Sequence, residues 1–251
     1  MDYLSDVDDA TIEIRVRGRW SRRLQLELSR GVDKALAEAP RAALLDLSGL
    51  IDPHGESIPT LLDAQRSAAA VTPSVRLMVC AGAARLSRRL DAVRAGSRIP
   101  TFDSVRQARM ALRSAGLVPV MHHIDLPPDY VSAALARDWI GQVCSDWRLE
   151  HLLHTVRLVV SELALNAIEH AATPFTVTLS LRGAILHLAV RDQSSMLPTL
   201  MNPGSYDPGG PLADRGRGLR LVAAHAIAWG ATPCRVGKVV WATLKTPVVR
   251  P

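Results

Sequence analysis

Glu162 and Asn166, one helical turn apart, are the residues of this 251-residue chain best placed to do chemistry. They lie in LLHTVRLVVSELALNAIEHAA, residues 152–172. With about 100° per residue and Leu163 at zero, Val156, Val159 and Ala167 fall within about 40° of it and form an apolar stripe. Glu162, Asn166 and Glu169 then fall at about −100°, −60° and −120°, on one flank of that stripe. The spacing predicts a half-buried helix that turns two acids and an amide toward a single neighbouring space. Oxygen donors grouped in this way suit Mg²⁺, which prefers carboxylate, carbonyl and water ligands and usually meets proteins together with a phosphate. Taken alone, such a flank is more often the solvated edge of an amphipathic helix.

Other residues point to the same chemistry. Gly216 and Gly218 bracket Arg217 just before a helical pattern over residues 219–229. Glycines there let backbone approach a ligand closely, and the helix they open offers free amides and a positive dipole end to phosphate oxygens. Asp192, at the end of a strand pattern, could accept a hydrogen bond from an exocyclic amine such as that of adenine, or serve as an ordinary turn aspartate. Between these, residues 198–215 hold Pro203, Gly204, Pro208, Gly209, Gly210 and Pro211, a composition that cannot sustain a helix or a central strand. A loop of that length in a compact domain is usually functional or disordered. No Walker A lysine loop and no eukaryotic-type kinase signature set is present.

The elements that must position these residues can be read in order. Pro127, Pro128 and Asp129 start a helix that runs to about residue 147. The Glu162 helix follows, then strand patterns over 175–181 and 184–191 joined as a hairpin at Arg182 and Gly183, and a closing strand over 238–244. His122 and His123 sit on the first strand, where adjacent residues point to opposite faces and cannot chelate one metal together.

This order of Glu-x-x-x-Asn helix, strand-end Asp, Gly/Pro loop and Gly-x-Gly before a helix resembles the GHKL ATPase superfamily over about residues 120–247. Within it, SELALNAIEHA and GRGLRLV are most similar to the anti-sigma-factor serine kinases of partner-switching systems. The resemblance implies a Bergerat-type α/β sandwich that binds ATP and Mg²⁺. Glu162 would be the general base that orients a substrate hydroxyl, Asn166 the Mg²⁺ ligand, and Asp192 the acceptor for the adenine amine. Gly216 and Gly218, with Arg217 and Leu219 of the same turn, would hold the phosphates, and residues 198–215 would form the ATP lid. The chain departs from the family pattern in two places. Ser194 and Met196 stand where the family often has the glycines of Asp-x-Gly-x-Gly, and Gly237-Lys238-Val239 replaces a late Gly-x-Thr.

The first half alternates strand and helix. Ile12, Ile14 and Val16 alternate with charged residues, Ser21 heads a helix carrying Leu24, Leu28, Val32, Ala35 and Leu36, and residues 42–47 (AALLDL) read as a buried strand. A helix over 56–70 and short strands over 76–80 and 99–102, each followed by a helix, complete a sheet with helices against it. The turn LSGLIDPHG, residues 47–55, places backbone amides at a helix start, where an acid or a phosphate is favoured. The strand, Asp-Leu-Ser-Gly and Asp-x-x-Gly resemble a STAS domain, the fold of anti-sigma-factor antagonists, over about the first 115 residues. Regulated members carry a phosphorylated serine in that turn. Here the acceptor position holds His54, Pro53 removes an amide donor, and Ser57 is either a helix-turn serine or an unusual acceptor.

Together these imply an α/β (α+β) chain of two domains, a STAS-like domain over 1–117 and a GHKL ATPase domain over 118–251. The function implied is ATP-binding control of sigma-factor partner switching. The chain would be a serine/threonine protein kinase acting on a separate STAS-type antagonist, with a sigma factor or anti-sigma factor as further partner and a homodimer left open. The alternative is a non-catalytic scaffold that sequesters protein partners.

Composition agrees with a folded regulator. Hydrophobic residues make up 48% and charged residues 22%, no run reaches the ~18 apolar residues of a membrane span, and the acidic beginning is unlike a signal peptide, so a cytoplasmic location is expected. Cys80, Cys144 and Cys234, odd in number and far apart, fit reduced thiols. The net charge of +6 raises nucleic acid as a partner. The densest basic cluster, Arg85, Arg88, Arg89, Arg94 and Arg98, has no interleaved aromatic residue to stack on bases, so it reads as a solvated helix face or a surface for an acidic protein.

Overall fold

The structure is a computed structural model that describes residues 1–81, 89–90, 99–114, 120–198 and 217–246. The chain divides into two compact units, Met1–Pro119 and Val120–Pro251. Arg85, Arg88, Arg94 and Arg98, the join expected near residue 118, residues 199–215 of the expected lid and Gly216 all lie outside the described residues. No described helix is long and apolar enough to cross a membrane. The three cysteines are free thiols.

The first unit runs β1 (Asp2–Asp6), β2 (Thr11–Arg19), α1 (Arg22–Ala37), β3 (Ala42–Ile51), α2 (Ile58–Ala70), β4 (Arg76–Cys80), β5 (Thr101–Phe102) and α3 (Val105–Ser114). Its strands lie in sequence order, β1 antiparallel to β2 and the rest parallel. Parallel strands are covered on both faces, which is why AALLDL is a nearly unbroken apolar run. Ala43, Leu45 and Leu47 pack with α1 and α2, while Ala42 and Leu44 meet Ala108 and Leu112 of α3 on the other face. Ser21 caps α1 as expected, its Oγ accepting the Leu24 amide at 3.3 Å.

The acidic beginning of the chain forms β1, an element that hydrophobic periodicity does not announce. Charge on α3 meets acids of β1, β2 and the turn between them: Arg109 pairs with Asp6, with Asp9 at 3.2 Å and with buried Glu13 at 3.4 Å, and Arg113 reaches Asp9 at 2.9 Å.

The second unit runs β6 (Val120–Leu126), α4 (Tyr130–Asp146), α5 (Leu153–Asn166), β7 (Phe175–Arg182), β8 (Ile185–Asp192), α6 (Arg217–His225), β9 (Ala228–Pro233) and β10 (Lys238–Lys245). Its sheet is antiparallel throughout, in the order β6-β7-β8-β10-β9. One core gathers all three helices on one face: Ile140 of α4, Val156 and Leu163 of α5, and Val222 of α6 pack with Val177, Leu188 and Val240 of the sheet.

One expectation about this unit needs correction. The pattern over 219–229 continues past its helix: α6 ends at His225, and Ala228 and Trp229 already belong to β9. Strand β9 (AWGATP) has Gly, Pro and no period-two apolar signal, and it exists because β10 pairs with it, Trp229 opposite Ala242. Gly230 lies beneath the Trp241 ring, where a Cβ would stand 2.9 Å from Cζ2. Strand β10, the last in the chain as expected, is interior to the sheet, between β8 and β9.

Candidate functional site

The helix carrying Glu162 and Asn166 buries the stripe its spacing predicts. Val156, Val159, Leu163 and Ala167 are each at most 1% exposed, while Glu162 and Asn166 on the flank are half-buried. The uninterrupted helix expected over 152–172 is divided, however. A 3₁₀ turn (Glu150–Leu152) leads into α5, and a π-helical segment (Ala167–Ala171) follows Asn166 directly. Such widened turns are frequent at functional sites. The wider turn changes the angular step after Asn166, and Glu169 is exposed. Ala172 then adopts a left-handed conformation, φ 50°, its amide bonding Ala167 oxygen at 3.0 Å, and ends the helix. Next in the chain, Thr173 Oγ1 accepts the Gln193 amide at 3.1 Å. That bond ties the end of the Asn166 helix to the exit of the Asp192 strand.

Glu162 and Gly218, far apart in sequence, meet. A Cβ at position 218 would collide with Glu162 Oε2 and stand 3.3 Å from its Cδ. The missing side chain at position 218 lets the start of α6 lie against this carboxylate, and a Cβ there would make the carboxylate shift. Leu219 is buried, anchoring that first turn, and Arg217 opens the helix. A carboxylate and the start of a helix, whose free amides suit an anion, thus share one place. Burial pushes the Glu162 carboxyl above its ordinary range, and the negative charge of Glu169 adds in the same direction. A raised carboxyl is better suited to take a proton near neutral pH than an ordinary one.

Asn166 Oδ1 is buried and has no hydrogen-bond partner among the described residues. Buried polar atoms are nearly always paired, so an orphaned amide oxygen on the flank of Glu162 calls for a partner beyond the described residues. A hard cation held by one protein oxygen, with phosphate and water completing its shell, satisfies it. The donor present fits Mg²⁺.

Asp192 lies buried at the end of β8 with a partner of its own. It is 1% exposed, and Lys238 Nζ reaches both its oxygens at 2.9 Å. Oδ1 also accepts the Ser194 amide at 2.8 Å. Lys238 sits directly opposite Asp192 in the β8/β10 register, on the face that carries Val240 and Ala242 into the core, and alternation turns Val239 to the other face. The residue that meets Asp192 is thus the lysine of Gly237-Lys238-Val239. Its signal in the sequence was a lysine, one of three in the chain, heading an apolar strand (KVVWATL) right after a glycine. Ser194 bonds through its amide, and Met196 is 78% exposed.

In the first unit, the expected anion site at the start of α2 is filled from within. Asp52 accepts the amides of Gly55, Glu56 and Ser57 at 2.9, 3.0 and 3.0 Å and the Ser57 hydroxyl at 2.7 Å. Those bonds hold its carboxyl below the usual range against the opposing effect of burial. Ser57 is 0% exposed, so it is the helix-turn serine and offers no hydroxyl to a kinase in this fold. His54 is exposed.

Residues 126–242 match the family model of the histidine kinase-like ATPase domain. Among solved structures, the crystal structure of an anti-sigma factor antagonist from Mycobacterium paratuberculosis is similar at 17% identity and a TM-score of 0.38, over 44% of this chain and 92% of that one. No curated protein matches the chain.

Proposed function

We propose that the histidine kinase-like ATPase domain of this chain binds a Mg²⁺-nucleoside triphosphate and transfers its γ-phosphoryl group to a serine on a separate STAS-type protein, as the kinase of a sigma-factor partner switch. The observation that carries the reading is the orphaned Asn166 Oδ1 on the same helix flank as Glu162, whose carboxylate in turn touches Gly218. Phosphoryl transfer needs mostly positioning and charge neutralisation, and a base, a metal ligand and an amide cradle are a sufficient set. Asn166 would hold the Mg²⁺, which when bound neutralises phosphate charge. Glu162 takes the serine proton as the hydroxyl oxygen bonds to the γ-phosphorus and the bond to the β,γ-bridging oxygen breaks, with the nucleoside diphosphate leaving. The amides at Gly218 and Leu219, with Gly216 and Arg217, receive the phosphates. Asp192 stands at the base end. The first unit serves as a STAS-like protein-binding module that is not itself a substrate, since His54 replaces the acceptor serine and Ser57 is sealed.

A second reading, a scaffold that sequesters partners without catalysis, is favoured by one observation: the base-reading Asp192 is already paired with Lys238. Calorimetric titration of Mg-ATP into the wild type and Asn166→Ala, followed by phosphoryl transfer to a serine-bearing STAS partner by the wild type and Glu162→Ala, separates the two. Binding lost in the first variant and transfer lost in the second support the kinase. Binding without any transfer by the wild type supports the scaffold.

A further inference from the structure

Two arginines meet in the groove between α4 and α5, held there by neutral groups alone. Arg157 lies across the backbone of Gly141, where a Cβ would stand 2.6 Å from its Nη2, and its Nε donates to the Arg137 carbonyl at 3.3 Å. Arg137 reaches back, its Nη1 donating to Ser161 Oγ at 3.2 Å, and that hydroxyl donates to the Arg157 carbonyl at 2.7 Å. Among the described residues no carboxylate pairs with either guanidinium. The nearest acid in sequence, exposed Asp138, lies about 100° further round α4. Two like charges are thus fixed in one groove, both half-buried. A guanidinium carries five donors in a rigid fork that matches a carboxylate, and most of those donors are unspent here.

The surroundings suit a protein more than a small ion. Tyr130, two turns before Arg137 on the same face of α4, is 66% exposed, and Val131 beside it is equally so. Tyrosine and arginine are among the residues that carry most of the binding energy in protein interfaces. The groove also borders the site. Ser161 directly precedes Glu162, and at about 100° per residue half-buried Leu158 and Leu165 fall between them on the outer ridge of α5. One ridge therefore separates the arginines from the carboxylate, well inside the ~800 Å² that each partner buries in a standard interface. The net charge of +6 favours an acidic partner in the same sense.

We propose that Arg137 and Arg157 dock an acidic segment of the acceptor protein, whose carboxylates close the two forks while its serine lies over the α5 ridge at Glu162. This rests on the kinase reading above for the identity of the partner. The test is calorimetric titration of a serine-bearing STAS-type protein into the full chain, with Mg-ATP titrated in parallel. Arg137→Gln and Arg157→Gln are each expected to weaken the protein partner by tenfold or more, with Mg-ATP affinity within threefold of wild type. In the wild type, the Nε proton resonances of both arginines should shift as the partner is added, a measurement that decides the matter even if a variant does not fold. Partner affinity reduced less than tenfold in both variants, or arginine resonances unmoved at saturation, overturns the inference. So does an equal loss of Mg-ATP affinity, which would mark a structural role. Partner binding through the arginines without phosphoryl transfer leaves the docking surface standing and removes the kinase. Transfer that ignores both substitutions removes the docking surface alone, and a folded chain that binds no STAS-type protein removes both.

Discussion

The Glu162 carboxylate lies where a methyl group on Gly218 would stand. Position 218 thereby limits where the Glu162 carboxylate stands relative to the start of α6. Gly218→Ala is expected to displace Glu162 by about 1 Å and to lower phosphoryl transfer by roughly 100-fold, the usual cost of such misplacement, with the fold retained by circular dichroism. Transfer within threefold of wild type would show that this contact does not set the base.

The raised Glu162 carboxyl predicts a pH dependence. Transfer should fall as pH drops through a value above that of an ordinary glutamate, because the base is then protonated. Glu169→Gln removes a negative charge that disfavours ionisation, so the acid limb should shift to lower pH. Carbon-detected NMR titration of the Glu162 carboxyl reads the same shift without catalysis. An unmoved or upward-moving midpoint would contradict the pairing.

Asn166 should set stability against binding. Replacing a buried, unpartnered amide oxygen by an apolar group of similar size removes a desolvation penalty of about 1–3 kcal/mol. Asn166→Leu is expected to raise the urea midpoint of the nucleotide-free protein while eliminating the stabilisation conferred by Mg-ATP. A variant destabilised without nucleotide would mean that the oxygen has a partner after all.

Asp52 accepts three amides and a hydroxyl, so Asp52→Ala should destabilise the first unit by about 1–2 kcal/mol, the range of a lost helix cap. The pH sign follows from its lowered carboxyl. The contribution is present above the unfolded value near ~4 and disappears as pH falls through the lower folded value. Urea unfolding of wild type and variant at neutral and strongly acidic pH should give a difference that shrinks in acid.

Lys238 and Asp192 should behave as one unit. Removing only the lysine, in Lys238→Met, leaves a buried carboxylate uncompensated and is expected to cost about 3–5 kcal/mol. Asp192→Asn with Lys238→Met should recover most of that loss in denaturant unfolding. Additive losses would mean that the two do not interact.

The sequence made legible whatever depends on short-range pattern. Ser21, the AALLDL strand, the apolar stripe of α5 and the Arg182–Gly183 hairpin all lie where local spacing puts them, because each is decided within a few residues. Strands β1 and β9 were not legible, since both owe their existence to a partner: β1 to Arg109 and the β2 ladder, β9 to β10. The same division runs through the site. Glu162 and Asn166 share a helix, so their spacing carried them. The contact of Glu162 with Gly218, the π-helical turn after Asn166 and the pairing of Asp192 with Lys238 arise from tertiary packing and strand register.

The start of α2 has one more implication. Between Asp52 and Ser57 the sequence offers a single hydroxyl, which is sealed, and the anion that accepts the helix-start amides, Asp52, is part of the chain itself and stays ionised well below neutral pH. That corner has the same charge whether the cell is starved or growing. In a signalling circuit it is a constant, and whatever varies has to be written somewhere else.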